Sequence, residues 1–88
     1  MKEMEEVLRL FRAALDYLTV RKDPITSKAL YTMAQELLDE LGRNMVSPAG
    51  VLVRKARPII RQRLMHEQSL HKKFEITLAF WSQTAGEG

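Results

Sequence analysis

Apolar residues recur every three or four positions along most of the chain, and that period predicts helices. Met4, Val7, Leu8, Phe11, Leu15 and Leu18 form one such stripe, and Leu10, Ala14 and Tyr17 widen it. Glu3, Glu5 and Glu6 fall in the first turn, with Arg21 and Lys22 at the end, which suits the helix dipole. A first helix is expected from about residue 3 to 21. Asp23-Pro24 then breaks the chain, and Asp23 or Thr26 can cap a second helix. Leu30, Met33, Ala34, Leu37 and Leu41 give that helix its stripe, over residues 26–41. Gly42 suits a left-handed cap at its end.

Ser47-Pro48 is a further start signal. Leu52, Val53, Ala56, Ile59, Ile60 and Leu64 continue at helical spacing. At about 100° per residue, Arg57 and Arg61 lie within about 60° of Arg54, on the side away from these apolar positions. This reading makes the third helix a ridge of arginines facing water. Pro58 either kinks the helix or stops it at Arg57, and a kink accounts better for Arg63, which otherwise falls on the apolar side.

The last stripe, Leu70, Phe74, Thr77, Leu78 and Trp81, predicts a helix from Ser69 to Ser82, broadened by Ile76, Ala79 and Phe80. One continuous helix from Ile59 to Ser82 is equally allowed, because Met65 to Gln68 contains no breaker. No strand-like alternation or internal repeat occurs. The expected fold is all-α: a compact bundle of four amphipathic helices, or of three with the third long and kinked. Residues 1–83 form the expected single domain and 84–88 a flexible tail.

Eighty-eight residues hold one core, and a thin one. A core so small has little room to bury Phe74, Phe80 and Trp81 all deeply in a monomer: either all three are core, or some of them face a partner. Phe80 and Trp81 are therefore candidate partner-binding residues, and a homodimer is expected. The chain has no cysteine, which excludes disulfides, thiolate chemistry and cysteine-based zinc fingers. No apolar run approaches the roughly 20 residues of a membrane span. The acidic start resembles neither a signal nor a transit peptide, and an intracellular, cytoplasmic setting is expected (nuclear if the source is eukaryotic).

The net charge of +3 hides an asymmetry. Residues 1–42 hold six Lys/Arg against eight Asp/Glu, and residues 43–88 hold eight against three. No acid lies between Glu40 and Glu67, whereas Arg43, Arg54, Lys55, Arg57, Arg61 and Arg63 do. Arginine grips phosphate or carboxylate through a planar fork.

Other chemistry finds little support. His66 and His71 are five apart, about 140° around a helix, and do not share a metal as histidines four apart do. His71 and Glu75 make an ordinary exposed pair. Glu36, Asp39 and Glu40 fall on a solvated face, without the burial that tunes a catalytic pKa. Gly42 and Gly50 are isolated, so there is no phosphate-binding loop. An enzyme is not expected, nor a cofactor or a metal.

Two functions remain. The first is a regulator that binds nucleic acid, with DNA the expected target. A helix–turn–helix-like arrangement would present Ser47, Gly50, Arg54, Arg57 and Arg61, supported by Lys55, Arg43 and Arg63. The connector Arg43 to Ser47 is longer than the tight turn of that motif, and no aromatic residue interleaves with the arginines. Backbone binding by charge is thus expected, with a log–log salt slope of roughly −3.6 if four cations meet phosphates. The second is a helical adaptor or inhibitor that docks on an acidic protein, anchored by Phe80 or Trp81. A membrane-surface role is not expected, because the polar face of the first helix is acid-rich.

Overall fold

Burial of Met4, Val7, Leu8, Phe11 and Ala14 takes one face of the first helix out of water, and the rest of the chain is arranged around that face. The computed structural model describes residues 2–86 as four helices: α1 (Lys2–Thr19), α2 (Pro24–Arg43), α3 (Pro48–Leu64) and α4 (Leu70–Thr84). The fold is an all-α four-helix bundle. Each helix packs on the next, and α4 returns to α1. Phe11 meets Tyr31 and Ala14 meets Ser27, so α1 and α2 run antiparallel. Asp39 meets Arg57 and Gly42 meets Arg54, so α2 and α3 do as well. No helix among the described residues is long and apolar enough to cross a membrane.

The element ends differ from the expected ones for local reasons. α1 stops at Thr19, two residues early. Lys22 takes a left-handed φ of 58°, and the Asp23 N–H donates to the Tyr17 carbonyl at 2.8 Å, which closes the helix end. Because the helix ends before Arg21 and Lys22, its last turn carries no base, but Arg21 folds back onto Asp16 at 3.1 Å and over the Tyr17 ring. α2 starts at Pro24 with Asp23 as its N-cap, whose carboxylate accepts from the Thr26 N–H. Gly42 is helical rather than a left-handed cap: α2 continues through Arg43 and ends at Asn44. Ser47 caps α3 and Ser69 caps α4, each through its side-chain oxygen.

α3 passes through Pro58 as one helix, so the chain neither stops nor restarts at Arg57. It breaks instead at Met65, which rules out a continuous helix from Ile59 to Ser82. There the Glu67 carboxylate accepts from the Ser69 N–H at 3.0 Å and holds the turn. The ordered fold also reaches further than residue 83. α4 runs to Thr84 and Ala85 packs on the core. Gly86 closes the turn after it, with its N–H donating to the Gln83 carbonyl at 3.0 Å, and residues 87 and 88 of the expected tail lie outside the described residues.

The core decides between the two readings of the aromatic residues, in favour of burial and against partner binding by Phe80 and Trp81. Phe74 is 2% exposed, Phe80 8% and Trp81 1%. The small bundle accommodates all three by pairing them. Phe80 sits edge-on to Trp81 with centroids 5.2 Å apart, and Phe74 stacks on Tyr31 at 4.2 Å. Phe80 and Trp81 are therefore core residues with no face to offer a partner, and the aromatic argument for a homodimer falls away. The buried Ser27 hydroxyl donates to the Ala14 carbonyl at 2.5 Å, so the α1–α2 contact buries no unsatisfied hydroxyl there.

Candidate interaction surface on helix α3

The C-terminal carbonyls of α2 need partners, because a helix leaves its last four without intrahelical donors. Helix α3 supplies a donor to one of them and to the capping residue just beyond. Arg54 Nη1 donates to the Gly42 carbonyl at 2.8 Å and to the Asn44 carbonyl at 3.0 Å. A guanidinium at this end also complements the negative pole of the α2 dipole. Gly50 allows the approach. A Cβ there would fall inside 3.0 Å of the Leu41 and Asn44 carbonyl oxygens, so only glycine lets the first turn of α3 sit against that end of α2.

One turn further on, Arg57 forms an ion pair with Asp39 and reaches Gln35 at 3.4 Å. The Arg57 hydrogen bond holds the Asp39 carboxyl below its ordinary range, aided by the charges of Arg57, Arg43 and Arg61, while partial desolvation opposes the shift. Asp39 is thus one carboxylate among three arginines. Two of the expected phosphate ligands, Arg54 and Arg57, are already engaged inside the protein.

The remaining cations are placed differently. Arg43, Lys55, Arg61 and Arg63 are exposed. The Arg63 guanidinium lies over the Phe80 ring, 5.2 Å from its centroid, and so shields the least covered of the core aromatics. Arg43 sits at the end of α2, beside the open acidic hollow of Glu36, Asp39 and Glu40. Ser47 caps α3, with its oxygen 3.5 Å from the Gly50 N–H.

The arginines do not form the outward ridge. Ala49, Val53, Ala56 and Ile60 are the buried face of α3, while Ile59 is 51% exposed. Counting Ile59 with the core turns the inferred outward direction towards Arg54. With the observed buried set, Arg54, Arg57 and Arg61 fall on the flank beside α2, where Arg54 and Arg57 find their partners. The outward face is instead Val51, Lys55, Pro58, Ile59, Gln62 and Met65, all exposed and within about 120° of arc at 100° per residue. Pro58 carried the missed signal. Its absent N–H leaves the Arg54 carbonyl without an intrahelical donor, which is tolerable where water reaches it. A mid-helix proline therefore marks the wet side, and it phases α3 correctly.

The face is apolar and basic together. Val51, Ile59 and Met65 are 38, 51 and 60% exposed. Lys55 lies among them, Arg61 stands on the flank towards α2, and α3 contains no acid anywhere. His71 and Glu75 form an exposed pair at 3.5 Å on α4. Among the described residues no cluster of three or more His, Asp or Glu is placed to hold a metal.

No family model, curated protein or solved structure matches this chain.

Proposed function

We propose that the protein is a non-enzymatic helical interaction module that docks on an acidic, partly apolar protein surface through the outward face of α3. The observation that carries this reading is the stripe of exposed Val51, Ile59 and Met65 interleaved with Lys55 on an acid-free helix. Val51, Ile59 and Met65 are eight and six residues apart, with Lys55, Pro58 and Gln62 between them, so the face is mixed, in keeping with a non-obligate interface, which is about as apolar as ordinary protein surface. The cations give register and steer the encounter, and the apolar residues supply the desolvated centre. Docking thus rests on α3 rather than on Phe80 and Trp81.

Nucleic acid fits the same geometry less well. A backbone-binding surface gains little from Ile59 and Met65, and Arg54 and Arg57 would have to leave carbonyl and carboxylate partners to reach phosphate. A photo-crosslinking side chain at Ile59 tests the choice. The expected adduct is a discrete protein that survives nuclease and is lost when Lys55→Glu is introduced. Adducts that vanish on nuclease treatment, with mobility shift of duplex DNA at 50 mM salt, would instead establish the nucleic-acid reading.

A further inference from the structure

The chain itself carries a surface of the kind that α3 should recognise. Between the start of α1 and the end of α2 lies a groove of about 320 Å³. Its lining includes Leu37 and Leu41, both partly buried, with Glu3, Glu6 and Glu40 around them. Its size is at the small end of the roughly 300–1,000 Å³ typical of ligand pockets, which suits protruding side chains. Glu6 has a local partner in Arg9 at 3.3 Å, so the net acidity of the rim rests on Glu3 and Glu40.

We propose that the outward face of α3 docks into the Leu37–Leu41 groove of a second copy of this chain. This rests on the docking role of α3 proposed above and names its partner. Three features match. Ile59 and Met65 protrude where Leu37 and Leu41 recede. Lys55 meets Glu3 and Glu40. The acid-rich half of the sequence, residues 1–42, supplies the leucines and carboxylates of the groove, and the basic half supplies the helix. The contact joins unlike patches, so the two copies use different surfaces. Such a heterologous contact closes into a ring or else propagates as an open chain. Self-association thus rests on charge and aliphatic packing, with no part played by Phe80 and Trp81.

The experiment is sedimentation equilibrium of the whole chain and of two variants, Ile59→Asp on the helix side and Glu3→Lys/Glu40→Lys on the groove side. All the altered positions are exposed, and circular dichroism with Trp81 emission confirms that each variant folds. The native chain is expected to self-associate at micromolar concentration in 50 mM salt and to dissociate at 500 mM. Each variant alone is expected to associate at least tenfold more weakly. Their equimolar mixture restores one intact helix and one intact groove, so it should yield a species of twice the monomer mass and nothing larger. A native chain that stays monomeric up to millimolar concentration overturns the inference, as does a mixture that stays monomeric. If that happens while the Ile59 crosslinker still captures a different protein, docking through α3 stands and only self-recognition fails.

Discussion

Arg54 holds the carbonyl of Gly42 at 2.8 Å across the seam between two helices. Its guanidinium completes the end of α2 and is held in place by that work. Hydrogen bonds to charged groups contribute about 1.5–3 kcal/mol when protected, and this one is partly exposed. Arg54→Gln is therefore expected to destabilise the fold by about 1–2 kcal/mol in urea denaturation. Lys55→Gln, one residue along and facing water, should stay within about 0.5 kcal/mol of the native chain. In binding assays the order should reverse, with Lys55→Gln weakening partner capture and Arg54→Gln acting only through stability. Equal stability of the two variants would mean that the Arg54 contact does not hold the helix end.

Two glycines eight residues apart should respond in opposite directions. Gly42 is helical, and an added Cβ would lie 3.5 Å from Val53 Cγ1, an ordinary contact. Gly42→Ala should stabilise the chain by up to about 1 kcal/mol through helix propensity. Gly50→Ala would drive a methyl group into two backbone oxygens, which cannot rotate away. Separating α2 from α3 to make room also stretches the Arg54 contacts. A loss of about 2–3 kcal/mol is expected, in the range of overpacked interiors. Thermal unfolding of both variants in one buffer gives the comparison.

The contrast marks what the pattern of residues makes legible. The four helices, their N-caps at Asp23, Ser47 and Ser69, and most of the core come from local signals: period, capping side chains and proline. The features that escape such signals are set by contacts between elements. Gly42 resembles a helix terminator until α3 arrives to cap its carbonyl and that of Asn44. Ile59 resembles a core residue until the bundle turns it outward. The arginines of α3 read as a free ridge because nothing local announces that Asp39, eighteen residues earlier, will meet Arg57. Phe80 and Trp81 read as surplus because a count of aromatic residues does not show that they pack edge to face.

Acid should expose the carboxylate contributions. Asp39 titrates below its ordinary value because Arg57 hydrogen-bonds to it. Asp23 does so because the Thr26 hydroxyl and N–H bond to it at the cap of α2. A carboxyl whose folded pKa is depressed stabilises the fold fully above the unfolded value, near pH 4, and that stabilisation is lost as pH falls through the folded value. The native chain should therefore lose stability from pH 5 to pH 2, and Asp39→Asn should show a shallower decline, converging on the native chain at the acid end. Salt separates the two residues. At 500 mM NaCl the Asp39→Asn difference at neutral pH should shrink, because that pair is half exposed and screened, whereas an Asp23→Ala difference should persist, because a cap acts through short hydrogen bonds. An Asp39→Asn chain whose acid limb matches the native one would show that the Arg57 pair contributes nothing to folding.

Tyr31 reaches across the bundle between helices that are not extensively packed side by side. Its ring stacks on Phe74 with an interplanar angle of 3° and leans on Phe11 at 5.3 Å, while its hydroxyl lies 3.2 Å from the Thr77 hydroxyl. Thr77 is fully buried, so removing the Tyr31 oxygen takes away a partner that water cannot replace. Tyr31→Phe keeps the ring contacts and is expected to destabilise by about 1 kcal/mol. Tyr31→Leu also gives up two aromatic pairs, each contributing about 0.5–1.5 kcal/mol beyond its buried area, and should destabilise by about 2–4 kcal/mol. Trp81 emission during urea unfolding reports both, since that indole sits in the same core at 1% exposure. A phenylalanine variant as stable as the native chain would place the whole contribution of Tyr31 in its ring, and the α2–α4 link would then be one of packing alone.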